Sequence, residues 1–451
     1  GIGFTDVNVK VGNTALDSLT TGSNNTAVGH NALTADTGGD NNTGVGYLAL
    51  LSNTTGSSNT AVGFAALDAN TTSDNNTAVG SAALSANTTG ANNTAIGRQT
   101  LDANTTASDN TGVGYAALGS NTTGTENSAL GSQALAANTT GDANIAIGFE
   151  ALDANTTGSN NTAVGRSSLG ANTTANNNTA VGYYALKVNT TGGDNVAVGG
   201  NSLDANTTGD ANTCIGKSSL GNNTTGANNT GLGWGSLGQN TTADNNTAVG
   251  YNCLGANTTG TDNTAVGGNA LDAITTGSRC TAVGKSALGA NTGNENTAVG
   301  NRALEDNTSG TGNVAVGHDA LKDNTTAIEN TAIGTDCLRT NTTGAENVGV
   351  GAYALYTNNG DDNTAVGKSA LYANTTGGYN TAVGRNALAS NTTGVNNVAV
   401  GGLALDTSTT GSYNVAVGVW VLSDSTTAAY NTGVGYNALR TNTTGQYNVA
   451  V

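Results

Sequence analysis

A 17-residue period runs along almost the whole chain. Asn-Thr-Ala-Val-Gly or a close variant begins at Asn8, Asn25, Asn42, Asn59, Asn76 and Asn93, and so on to Asn448. Counting that Asn as position 0, position 4 is Gly in every full copy (Gly12, Gly29, Gly46 through Gly435) and position 8 is always Leu (Leu16, Leu33, Leu50 through Leu439). Positions 5, 6 and 9 accept nearly anything. An obligatory Gly implies a left-handed φ or no room for a Cβ, and an obligatory Leu implies one kind of buried slot. Two steps are 16 residues instead, from Cys280 to Asn296 and from Asn347 to Asn363. Both shorten the stretch that elsewhere reads Asn-Thr-Thr-Gly, which marks that stretch as a loop.

Units this short cannot each bury a hydrophobic face, so they are stable only when stacked. The density of Gly, Asn and Thr excludes helix, and no apolar stripe recurs at 3.6 residues. The expected fold is therefore all-β: a parallel β-solenoid (β-roll) of about 26 rungs, forming one continuous domain over residues 1–451. Each rung is expected to hold a short strand, a Gly corner, a second short strand around Ala-Leu and a polar return loop. At about 4.8 Å per rung the rod would be roughly 120 Å long. Like residues then stack on like, making Asn ladders at position 0 and at position 11 (Asn53, Asn70, Asn87).

Composition fits one thin core rather than several globular ones. There are 67 glycines, no proline, no methionine and 10% charged residues, and aromatics make up 4%. The formal charge of −17, with 13 Lys and Arg scattered singly, argues against binding nucleic acid. No apolar run is long enough to cross a bilayer, and no signal-peptide pattern opens the chain. The chain starts at Gly1 and stops at Val451 partway through a repeat, so it is expected to be a segment of a longer protein.

Alternation along the first strand puts positions 1 and 3 on one face and position 2 on the other. Position 3 is Val, Ile or Leu and position 1 is Thr, Val or Ile in nearly all copies, which suggests that both face the interior. Position 2 would then face outward, yet it is Ala or Gly nearly everywhere, with Lys10 and Cys214 the exceptions. An outward position restricted to the smallest side chains is expected to pack against identical strands. On that argument Ala27, Gly44, Ala61, Ala163, Ala180 and Ala197 mark a seam between chains of a parallel homotrimer. The alternatives are a crowded outer face of a monomer or the lining of a second turn.

Residues that carry chemistry are sparse. His30 and His318 both fall at variable position 5, far apart, and read as surface residues. Acidic pairs such as Asp361 and Asp362 do not reproduce a calcium-binding nonapeptide. Cys214, Cys253, Cys280 and Cys337 fall at small-residue or ladder positions, with no two matched in adjacent rungs, so no intrachain disulfide is expected. Neither a catalytic constellation, a metal site nor a cofactor site is expected. Asn-Thr-Thr also spells an N-glycosylation acceptor in nearly every rung, although an Asn ladder with a Thr-rich turn explains the same letters. Tyr413, Tyr430 and Tyr447 share position 16 in consecutive rungs and are expected to stack into an exposed aromatic strip for sugars or a neighbour.

Asn-Thr-Ala-Val-Gly, with its variants Asn-Val-Ala-Val-Gly (Asn195 to Gly199) and Asn-Ile-Ala-Ile-Gly (Asn144 to Gly148), resembles the head repeats of trimeric autotransporter adhesins. Similar repeats occur in phage tail-fibre proteins and long bacterial surface proteins. The resemblance covers essentially the whole chain and implies a left-handed roll and a homotrimeric extracellular rod on a cell or virion surface. It also implies contacts with surface glycans or a host receptor. The run from Asn to Gly is one residue shorter here, and the rung is longer by an Asn-Thr-Thr-Gly loop.

Three functions compete at this level. A fibre or adhesin-like shaft, including a phage tail fibre or a secreted filament joined end to end, fits the uniform repeat best. An ice-binding solenoid would need an outward Thr face, whereas the threonines at position 1 read as buried. A polysaccharide-cleaving enzyme would need acids and bases concentrated in a few neighbouring rungs, and none are.

Overall fold

A computed structural model of the chain describes residues 2–5 and 7–451, with side chains from residue 7 onward. It is an all-β solenoid of about 26 turns with 17 residues in a typical turn and no helix among the described residues. Contacts group into two units, residues 1–228 and 229–451. In the first unit, strands β2 (Asn8–Val11), β3 (Thr26–Val28), β4 (Thr43–Val45) and so on to β14 (Thr213–Ile215) pair in parallel, each with the strand one rung away. The second unit repeats the pattern from β15 (Thr230–Leu232) to β28 (Val449–Ala450). Register follows the repeat: Thr162 pairs with Thr179, Ala163 with Ala180 and Val164 with Val181. Among the described residues the one antiparallel partner is β1 (Ile2–Thr5), which pairs with β2 and so occupies the outer edge of the first rung.

Position 4 carries Gly for both reasons that make Gly obligatory. Gly29 has φ 141°, and a Cβ on it would sit 2.3 Å from the carbonyl oxygen of Gly46 in the next rung. Its N–H donates to the Val11 carbonyl one rung back at 2.8 Å. The chain turns here because only a residue without a side chain fits between two backbones.

Beyond this corner the expected second strand does not form. Positions 5 to 10 are a run of turns in which position 6 and the invariant Leu both take left-handed φ, as in Asn31 (59°) and Leu33 (52°). A strand cannot accommodate left-handed φ at alternate residues, although rung-to-rung bonds persist, such as Leu33 N–H to the Ala49 carbonyl at 3.0 Å. A left-handed Leu costs about 1–2 kcal/mol of backbone energy, so the slot that receives its side chain must offset that cost in every rung.

That slot also revises the orientation of the strand. Ala27, Ala61, Ala163, Ala180 and Ala197 at position 2 are fully buried within a single chain, and Gly44 is buried likewise. A Cβ on Gly44 would meet the Leu33 side chain at 3.3 Å and the Ala49 carbonyl at 3.3 Å. Position 2 is small because the Leu of the neighbouring rung fills the interior, not because a second chain lies outside. These six residues are sealed inside one chain and so are not the contact surface expected of them, and Cys214, at the same position, is buried likewise. Positions 1 and 3 face outward instead.

Beside this apolar column the interior carries two polar ladders, hydrogen-bonded in most rungs. At position 11, Asn70 Nδ2 donates to Asn53 Oδ1 at 2.9 Å, and the amide ladder repeats rung after rung. At position 0 the ladder is mixed: Asn25 Oδ1 accepts the backbone N–H of Asn42 at 2.8 Å, while Asn42 Nδ2 donates to the Gly56 carbonyl at 2.8 Å. That carbonyl accepts a second bond from Asn53 Nδ2 at 2.9 Å, so one oxygen joins the two ladders. In the shortened rung, Asn307 Nδ2 still reaches Asn291 Oδ1 at 2.6 Å, so the missing residue is absorbed by the loop.

Candidate functional site

One uniform surface in each unit is the strip made by positions 1 and 3. Its side chains are half-exposed to exposed in both units, with Val283 37%, Ile147 40% and Leu130 51% exposed. Position 3 is Val, Ile or Leu in every copy, and position 1 is Thr except at Val9, Ser128, Ile145, Val196, Val314, Val348, Val398, Val415 and Val449. None of the 13 basic or 30 acidic residues falls at either position. The threonines are thus outside, and the reason given above for setting aside an ice-binding face does not hold.

Tyr413, Tyr430 and Tyr447 stack as the repeat predicts, with ring centroids 5.0 Å apart and planes within 3° and 8° of parallel. All three are exposed. Tyr430 has a tyrosine on each side, so it offers ring edge and hydroxyl to the outside rather than a free face for a sugar ring. Aromatic ladders also form at position 5, where His30 stacks on Tyr47 and Tyr47 on Phe64, each at 5.5 Å. Trp234 and Tyr251 repeat this at 5.1 Å. His30 lies on the surface as expected.

His318 is less isolated than its position in the sequence implied. It lies beside Asp319 and Asp336, the only group of metal-type ligands among the described residues, with ligand atoms within 4.8 Å of one another. Arg302 donates to Asp319 Oδ2 at 2.8 Å, and Arg339 reaches Asp336 at 3.2 Å and Asp319 at 3.6 Å. Two guanidinium groups already balance the two carboxylates, so the cluster is an ion-pair network rather than an anionic cage, although the buried Asp319 Oδ1 accepts no hydrogen bond. The sequence missed it because its members occupy positions 5, 6 and 9 of three rungs, and only stacking brings them together.

The four cysteines are free and buried. Burial pushes the Cys253 thiol up to about 11 and Cys337 up to about 12, and it raises Cys214 and Cys280 as well. None is a reactive thiolate near neutral pH. The asparagines of the Asn-Thr-Thr triplets are buried in the position 11 ladder at all but the last, half-exposed Asn442, which favours the ladder reading over glycosylation of the folded chain. Shallow grooves run between neighbouring rungs, such as the one lined by Gln99, Asp102, Ala116 and Gly119. No helix among the described residues is long and apolar enough to cross a membrane.

One position in the ladder carries a charge. Asp36 replaces Asn at position 11 and is fully buried, and desolvation raises its pKa from the ordinary 3.8 to about 6 despite a bond from Gly39 N–H at 2.9 Å. Comparison with family models, curated proteins and solved structures finds no match to this chain.

Proposed function

We propose that this chain is a structural shaft, a segment of an extracellular fibre or adhesin-like rod on a cell or virion, and that it is not an enzyme. The observation that carries the reading is the ladder system itself. In each unit the same backbone and asparagine bonds recur rung after rung, so almost every invariant residue is accounted for by stacking. The variable positions are left to the surface. The motif's resemblance to adhesin head repeats supports placement outside the cell, contact with glycans or a host receptor, and the tail-fibre and secreted-filament alternatives. Electron microscopy of the purified chain tests the shaft: elongated particles one rung wide are expected, and compact globular particles would refute it.

A second reading, binding to ice, is favoured by one observation, the outward column of threonines at position 1. A gap between the melting and freezing temperatures of a dilute solution would support it, and its absence would dismiss it.

A further inference from the structure

We infer that the strip formed by positions 1 and 3 is an interface that pairs face to face with a second copy of this chain about a two-fold axis. The inference concerns the faces of the rung and is independent of where the shaft is displayed.

A sheet face left to water usually carries charged side chains, which keep it soluble and discourage pairing. Here the chain places all its charges elsewhere. Thr162, Val164, Thr179 and Val181 belong to a column in which every rung shows an uncharged side chain, β-branched in nearly all copies. These side chains are stiff at χ1 and lose little entropy when covered. The interior accounts for positions 2, 7 and 8, but nothing within one chain accounts for position 3 being Val, Ile or Leu in every copy while exposed.

The area is adequate. Strands β2 to β14 give thirteen rungs in the first unit. At about 4.8 Å per rung and roughly 10 Å for three residues, the strip covers about 600 Å². Two such strips facing one another bury about 1,200 Å², the lower bound of a stable specific interface, and the second unit carries a strip of the same kind. A narrow strip favours a two-fold arrangement, because two strips can cover each other completely. Three around one axis would meet only along their margins, which moves the expectation away from a trimer.

Water ice is the other occupant this face could take. A hydroxyl array for ice should be regular, yet position 1 switches to Val or Ile at Ile145, Val196, Val314, Val348, Val398 and Val415. Those changes interrupt a hydroxyl lattice and leave a dry interface intact or tighter.

The test is the solution mass of the full chain over a micromolar concentration series, by sedimentation or light scattering. The wild-type chain should have the mass of two copies. The triple variant Ile147→Lys, Val164→Lys, Val181→Lys should raise the dissociation constant about tenfold or more, because it forces lysines into a water-poor face. Lysines at Ala154, Ala171 and Val188, on position 10 of the same rungs, should leave it unchanged. Hydrogen exchange of the ladder amides reports whether the lysine variant is folded. If it is not, the milder series Ile147→Thr, Val164→Thr, Val181→Thr replaces it and should also weaken pairing. A single-chain mass for the wild type overturns the proposal, and with a freezing gap it assigns the face to ice. A three-chain mass, or pairing unaffected by either series, overturns it equally.

Discussion

Gly63 and Gly80 sit back to back in successive rungs with no space for a methyl group: a Cβ on Gly63 would lie 2.4 Å from the Gly80 carbonyl oxygen. Gly63 also holds φ at 142°. Gly63→Ala therefore combines a backbone clash with a disallowed dihedral, and about 3 kcal/mol or more of local stability should be lost. Gly200→Ala, where the nearest atom to a new Cβ is 4.0 Å away, should cost well under 1 kcal/mol. Hydrogen exchange across the flanking rungs would separate the two, and equal protection would refute the role given to position 4.

Ala163→Glu should open its rung and its neighbours at any protein concentration, because Ala163 is sealed inside one chain. Thr162→Glu, one residue away on the outer face, should leave the ladder amides protected. A concentration-dependent effect of Ala163→Glu on unfolding would restore a between-chain role for position 2.

Asp36→Asn should stabilise the first unit at neutral pH. The native carboxyl is protonated more readily folded than unfolded, with a pKa of about 6 against 3.8. Stability from this group is therefore present below pH 4 and lost as pH rises through 6. The variant should gain up to about 3 kcal/mol at pH 7, and the part of that gain due to ionisation should vanish near pH 4. A gain identical at both pH values would show that titration is not the cause.

Ser408→Asn should extend the position 11 ladder by one rung, as far as Ser425, whose buried Oγ also lacks a partner. Neither Ser408 Oγ nor Asn391 Oδ1 has a hydrogen-bond partner, although both are buried. An Asn here would donate to Asn391 Oδ1 and to the Gly411 carbonyl, as its counterparts do elsewhere. The expected gain is about 1–2 kcal/mol in local opening by hydrogen exchange, against none for Ser390→Asn at position 10. Loss of protection in the extended rung would contradict the ladder energetics.

Period, corner and ladders were legible from the sequence because each depends on a residue that nothing else replaces: Gly29 for its dihedral and clearance, Leu33 for its slot, Asn53 for its paired donor and acceptor. The direction of the strand was not legible. Ala27 flanked by Thr26 and Val28 fits either orientation on size alone, and the choice is made by Leu33, which enters the interior through a left-handed backbone that sequence periodicity does not reveal. The same left-handed residues removed the second strand. The outer strip was therefore misread as core, since a side chain held for a partner and one held for an interior have the same composition. The Arg302, His318, Asp319, Asp336 and Arg339 cluster depends on which variable positions meet across rungs, and a single repeat unit holds no record of that.

The carbonyl that joins the two asparagine ladders has a counterpart in nearly every rung, so each rung offers its successor what it receives from its predecessor. Removing or copying one whole 17-residue unit leaves matched donors and acceptors in contact at the junction. A gene built this way can change its number of repeats by unequal crossing-over without spoiling the fit of any turn. Length in this protein is thus a heritable quantity, adjustable in steps of about 4.8 Å, that selection can tune separately from the fold.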